Sequence, residues 1–241
     1  MAEVFVLSLR DWLENDVTPY LDFASKERRE TVLRFRFASD KNRSLWAELF
    51  TRWCAAKTAE LSPVEIEISH NEKGKPFCKD LPISVSLSHS GAYIAVAVGQ
   101  STVGVDVERK RKFSLAVSKR WFRPKEHEFL ISLPEEERAR AFSRLWTLKE
   151  AALKYTGVGL AGGPETVDCF ALLKAAEKED ADALAGRNFP LPQEATVGVV
   201  AARKELPDKA RIFIIERGEN GIYGDAIFTE QDAILPQKAI L

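Results

Sequence analysis

The run Gly104-Val105-Asp106-Val107-Glu108 places two carboxylates two residues apart at the end of a β-like segment. Side chains alternate along a strand, so Asp106 and Glu108 share one side, with Val105 and Val107 on the other. Two carboxylates on one side make half of a hard-cation site. Mg²⁺ takes oxygen ligands and fills the rest of its shell with water or phosphate oxygens. An ordinary exposed strand end would read the same way, and the DxE pattern alone does not decide between them.

Trp146, Glu150 and Lys154 recur every fourth residue within Trp146-Thr147-Leu148-Lys149-Glu150-Ala151-Ala152-Leu153-Lys154, so on a helix they form one stripe. The plain alternative is a surface Glu150–Lys154 pair worth about 0.2–0.5 kcal/mol. Ser86-Leu87-Ser88-His89-Ser90-Gly91 brings hydroxyls, an imidazole and a glycine together, which suits phosphate binding. A Ser/His triad is the rival. It is disfavoured because neighbouring residues of a strand face opposite ways and no acid is placed to orient the ring. His70 and His127 lack such company and read as surface or structural residues. Lys73-Gly74-Lys75-Pro76 adds two cations around a glycine that permits close backbone approach, though it reads equally as a plain turn. Arg28, Arg29, Arg34, Arg36, Lys41 and Arg43 are mostly solvated, with one or two able to hold a phosphate by a bidentate contact.

These groups need elements to carry them. A strand is predicted over Glu3–Leu9, and helices over Lys26–Phe37 and Asp40–Ala59, the second with Leu45, Trp46, Leu49, Phe50 and Trp53 on one face. Glu65–Ile68 alternates as a strand. Ile83–Leu87, Tyr93–Val98 and Val103–Val107 read as a three-stranded meander. Helices follow over Ser114–Trp121 and Pro124–Leu130. A long helix begins at Pro134, with Glu135, Glu136 and Glu137 suiting the positive end of its dipole, and runs through Tyr155 to a stop at Gly157. Leu172–Leu184 reads as helix, and Thr196–Ala202 and Arg211–Glu216 as strands. A boundary near residue 112 divides the chain into 1–112 and 113–241, with no convincing internal repeat.

The 241 residues suffice for one large or two small domains. A net charge of −1 gives no global basic field, so neither nucleic acid nor a membrane surface is expected as a partner. No apolar run approaches the roughly 20 residues of a membrane helix. The start, MAEVFVLSLR, reads as a first strand and not a signal peptide. Cys54, Cys78 and Cys169 are odd in number and widely spaced, which points to a reduced, cytoplasmic setting. Charge is uneven: 109–125 is strongly basic, and 177–182 is acidic.

In this order the motifs resemble the Sfp-type 4'-phosphopantetheinyl transferases. Arg28, Asp40-x-x-Arg43, Gly74-Lys75-Pro76, Ser86-Leu87-Ser88-His89-Ser90-Gly91, Gly104-Val105-Asp106-Val107-Glu108 and Trp146…Lys149-Glu150-Ala151…Lys154 carry the likeness, over about residues 5 to 160. The last two at this separation are its most specific part. One departure is Thr31, where many members carry a second lysine; Arg29 is the residue placed to compensate.

The resemblance implies an α+β fold of two similar α/β halves related by a pseudo-twofold, antiparallel sheets packed with helices, and the active site between the halves. It implies Mg²⁺ on Asp106, Glu108 and Glu150, and coenzyme A held by Arg28, Arg43, Lys73, Lys75, Pro76, Ser88 and His89, with Lys149 and Lys154 as phosphate clamps. Glu150 would be the candidate base, directly or through a water, and Lys154 would assist proton transfer. The 4'-phosphopantetheine group would pass to a serine of an apo acyl or peptidyl carrier protein, leaving adenosine 3',5'-bisphosphate. The basic run after Glu108 would steer an acidic carrier, residues 157–173 would contact it, and the enzyme would act as a monomer. The rival classes are a magnesium-dependent phosphohydrolase or nucleotidyl enzyme, and a non-catalytic coenzyme A or carrier-binding module.

Overall fold

A computed structural model describes residues 1–219, 221, 223–224 and 226–237. Among the described residues, ten strands and six α-helices follow in this order: β1 (Glu3–Ser8), α1 (Lys26–Arg34), α2 (Ala38–Ala59), β2 (Ile68–His70), β3 (Pro76–Cys78), β4 (Ser84–Ser90), β5 (Tyr93–Gly99), β6 (Val103–Arg109), α3 (Leu115–Trp121), α4 (Pro124–Ser132), α5 (Glu135–Thr156), α6 (Cys169–Ala175), β7 (Leu184–Leu191), β8 (Ala195–Ala202), β9 (Ala210–Arg217) and β10 (Ala226–Ile234).

The strands form a five-stranded sheet in the order β10-β9-β1-β5-β4, a three-stranded sheet β6-β8-β7, and the small hairpin β2-β3. All pairings are antiparallel except β1 with β9. Helix α2 packs on the first sheet and α5 on the second, each helix 22 residues long. This is the α+β arrangement of two similar helix-on-sheet halves that the sequence implies.

The layers follow from alternation along the strands. Phe5 and Leu7 point to α2, where they meet Trp46, Phe50 and Phe213. Val4 and Val6 point the other way and pack with Val105, Val107, Val197 and Val199 between the two sheets. Beyond the second sheet, α5 buries Leu145, Leu148 and Ala152 with Phe122 and Val200. The stack is therefore helix, sheet, sheet, helix.

Several sequence expectations change. The meander ends after β5: β6 leaves the first sheet and pairs with β8, while β9 and β10 return to complete the first sheet. Glu65–Ile68 is not a strand. Glu65 Oε2 accepts from the backbone N of Ser62 at 2.8 Å, which winds Pro63–Glu65 into a 3₁₀ turn, and β2 starts only at Ile68. The helix expected over Leu172–Leu184 is α6. It starts earlier because Asp168 caps it, Oδ1 accepting from Ala171 N at 2.9 Å, and it stops at Ala175 before the acidic run. Strands β3, β7 and β10 have no counterpart in the sequence expectations. Among the described residues no helix is long and apolar enough to cross a membrane.

Candidate functional site

The two sheets meet along the edge strands β4 and β6, and serines join them. Ser86, Ser88 and Ser90 alternate onto the side of β4 that faces β6. Ser86 Oγ accepts from Val105 N at 3.0 Å. Ser88 Oγ donates to Asp106 Oδ1 at 2.7 Å, and Ser90 Oγ donates to Glu108 Oε2 at 2.9 Å while accepting from Arg109 N at 3.3 Å. The serines that the sequence assigned to phosphate therefore orient the two carboxylates of DxE.

Asp106 faces α5, on the opposite side of β6 from the valines that fill the space between the sheets. Two glycines let the helix come close. A Cβ on Gly104 would meet the backbone O of Ala151 at 2.0 Å and the N of Tyr155 at 2.6 Å. A Cβ on Gly198, the cross-strand partner of Asp106, would meet the backbone C of Thr147 at 2.7 Å. With α5 seated this way, Lys154 Nζ donates to Asp106 Oδ1 at 2.7 Å.

Glu150 lies one turn earlier on α5. Burial, and next the charge of Asp106, raise its carboxyl above the usual carboxylate range; Glu108 adds to this and Lys154 opposes it. The charges of Asp106 and Glu108 thus reach Glu150, the third acid that the resemblance implies. Asp106 is buried, and its Oδ2 has no hydrogen-bond partner. Glu108 Oε1 pairs with the Arg111 guanidinium, which also lies over the Trp146 ring. Among the described residues no three His, Cys, Asp or Glu side chains are drawn into a ready-made ion site. Lys154 and Arg111 hold two of the carboxylates instead. The donor set still fits a hard divalent cation: three carboxylates, one buried oxygen without a partner, and a crowded Glu150.

Further basic side chains lie around His89 and Lys154. Desolvation, then Lys154 and Arg43, lower the His89 pKa, with a smaller push from Arg28. Solvent reaches His89, so the nearby cations are the firmer cause. Arg43 donates to Gly91 O at 3.1 Å and pairs with Asp40 Oδ1 at 2.5 Å. Arg28 donates to Ser44 Oγ at 3.1 Å and to Glu48 Oε2 at 3.3 Å. Lys73, Lys75, Pro76 and Lys154 line a pocket of about 160 Å³ beside the end of α5. Partial burial lowers the Lys75 pKa, and its Nζ donates to Tyr155 O at 3.0 Å.

One expectation fails. Lys149 is no phosphate clamp: its side chain is fully buried on the far side of α5, its ammonium 2.6 Å from Glu126 Oε2. A residue next to Glu150 on a helix points about 100° away from it, and here that direction leads into the protein. Arg29, expected to compensate for the lysine absent at Thr31, pairs with Asp22 at 3.0 Å on the surface. The Ser–carboxylate pairs and the Lys149–Glu126 pair went unseen because each joins segments far apart in sequence.

Two sequence profiles adjoin on this chain. One, described as 4'-phosphopantetheinyl transferase, N-terminal, matches residues 13–101; the other, the 4'-phosphopantetheinyl transferase superfamily, matches 102–195. Over 142 residues the chain is 32% identical to 4'-phosphopantetheinyl transferase Sfp of Bacillus subtilis (strain 168), covering 58% of this chain and 63% of that one. It is 35% identical over 142 residues to 4'-phosphopantetheinyl transferase psf-1 of Bacillus pumilus, covering 58% and 61%. The match thus spans about three fifths of these relatives' length. The solved structure of Thermotoga maritima holo-[acyl-carrier-protein] synthase is 18% identical, at a TM-score of 0.32 over 56% of this chain and 84% of that one, too distant in shape to argue from.

Proposed function

Because the chain belongs to the 4'-phosphopantetheinyl transferase superfamily, we propose that it transfers the 4'-phosphopantetheine group of coenzyme A to a serine hydroxyl of an apo acyl or peptidyl carrier protein. The observation that carries this reading is the Asp106–Lys154 pair with Glu150 within reach of its charges; Lys75 shares a pocket with Lys154, and His89 feels the charges of Lys154, Arg43 and Arg28. Cutting a pyrophosphate builds charge on the transferring and leaving phosphates, and fixed cations offset it.

Asp106, Glu108 and Glu150 would hold Mg²⁺, which supplies charge neutralisation at the diphosphate when bound. The rest falls to the chain's own side chains. Lys154 and Lys75 bind phosphate oxygens from the pocket they share. His89, Arg43 and Arg28 bind the 3'-phosphate end of coenzyme A, while Lys73 and Pro76 border the pocket of Lys75 and Lys154. Ser88 and Ser90 hold the carboxylates in orientation. The carrier serine must lose a proton, and Glu150 is the candidate acceptor, directly or through a water.

The carrier would approach over the 157–168 segment, where Val158 and Leu160 are exposed beside an apolar pocket of about 420 Å³. Lys112, Lys119, Arg120 and Lys125 are exposed on the basic stretch and would steer an acidic partner. A cytoplasmic setting suits the three free, buried cysteines, and the reading takes the enzyme as a monomer.

Incubation with coenzyme A, Mg²⁺ and a panel of apo carriers tests the proposal by mass spectrometry. A carrier mass gain of one phosphopantetheine group supports it. Coenzyme A breakdown without any carrier gain overturns it in favour of a hydrolase.

A further inference from the structure

Lys149 and Glu126 are the most deeply buried charges near the site, at 0% and 1% side-chain exposure. Neither touches the carboxylate cluster, yet both are fully used. The Lys149 ammonium has three N–H donors and three acceptors: Glu126 Oε2 at 2.6 Å, Pro164 O at 3.0 Å and Val167 O at 2.8 Å. It also lies 5.0 Å from the centre of the Phe122 ring. Glu126 accepts from Cys169 N at 2.7 Å through Oε1, and from Arg123 N at 2.9 Å through Oε2. One ion pair therefore ties together the start of α4, the middle of α5, the 164–167 turn and the start of α6.

Such a knot is costly to build, because two charges leave water, and it repays that only when every polar atom is satisfied. Its placement gives it a use. The chain leaves α5 at Gly157, runs outward through exposed Val158 and Leu160, and is caught again at Pro164 and Val167. Between these ends the excursion forms a wall of two pockets. Gly157 and Gly159 border the phosphate-side pocket with Lys75 and Lys154, while Val158 and Val167 border the apolar one. Three glycines, Gly157, Gly159 and Gly163, have positive φ in this stretch. Two 3₁₀ turns, Leu160–Gly162 and Pro164–Thr166, shape it from within, and the anchor fixes where it returns to the protein.

We propose that Lys149 and Glu126 are positioning residues that set carrier recognition by fixing the 157–168 excursion, a role that rests on the transferase reading above. They act on how the carrier is held: at the phosphate-side pocket the excursion contributes only the backbone of Gly157 and Gly159, while Lys75 and Lys154 come from outside it.

The test compares the wild-type enzyme with Lys149→Met, Glu126→Gln and the double variant, which removes both charges and so avoids a lone buried ion. The double variant should melt higher than either single variant. In all three, amide hydrogen exchange across 157–168 should quicken by about tenfold or more. The KM for the apo carrier should rise about tenfold, while kcat and the dissociation constant for coenzyme A move less than about threefold. A folded double variant with wild-type exchange and wild-type carrier KM overturns the proposal. So does the opposite split, weaker coenzyme A binding with carrier KM unchanged, which would return Lys149 to the phosphates. A wild-type protein that modifies no carrier sinks the transferase reading and the carrier half of this proposal, whereas the exchange comparison still decides the anchor.

Discussion

Lys154 Nζ sits 2.7 Å from Asp106 Oδ1, on the oxygen that also accepts from Ser88, while Oδ2 of the same buried carboxylate has no partner. The ammonium occupies ground that a divalent cation would need. Lys154→Gln should therefore tighten Mn²⁺ binding to the protein without coenzyme A by roughly threefold to tenfold, the scale of one partly exposed ion pair. Transfer should fall, because the same lysine is proposed to bind the phosphates. Manganese electron paramagnetic resonance reads the first effect, and unchanged or weaker Mn²⁺ binding refutes the competition.

Glu150→Gln should abolish transfer yet leave stability within about 1 kcal/mol of wild type, or above it. The sign follows from the raised carboxyl. Folding favours the protonated form, so ionised Glu150 lowers stability as pH rises from the unfolded-state value through the raised one. Gln removes that opposition. Thermal melts at pH 4 and pH 7 should show the variant gaining at the higher pH only.

Ser88→Ala and Ser90→Ala should each weaken Mn²⁺ binding by about tenfold, since groups that orient metal-ligating carboxylates contribute on that scale. Calorimetry with Mn²⁺ and, separately, with coenzyme A distinguishes this from phosphate binding. Loss confined to coenzyme A affinity would return Ser88 to the role suggested by the sequence.

Gly104→Ala should cost about 1–3 kcal/mol or more in urea unfolding, because its methyl would press on the Ala151 carbonyl and force α5 off β6. The Asp106–Lys154 contact should loosen with it, and Mn²⁺ affinity should drop further than in a control such as Gly74→Ala, where the space is open and only backbone strain applies. Equal effects at the two glycines would argue against the close-approach role.

His89→Gln should flatten the acid side of the stability profile. The His89 pKa lies below its unfolded value, so the unfolded chain binds the extra proton first, and stability is lost as pH falls through the window beneath about 6.5. Adding coenzyme A to the wild type should reverse the trend, since a phosphate favours the charged imidazole. A variant that tracks the wild type between pH 5 and 7 removes this account.

Periodicity and spacing alone determined a good part of the molecule. The alternation at 104–108 put Asp106 and Glu108 on one side, the four-residue spacing put Glu150 and Lys154 on one stripe, and the capped helices and the β4–β5 hairpin emerge near their observed ends. These are local properties, written in residues within a turn or a strand of each other. What needed the fold was every pairing across distance: β6 leaving one sheet for another, the serines of β4 turned onto the acids of β6, and Lys149 turned inward to Glu126 while its neighbour Glu150 turned toward Asp106. A linear pattern gives a residue's direction relative to its own element, but which element waits in that direction is settled only by how the layers pack.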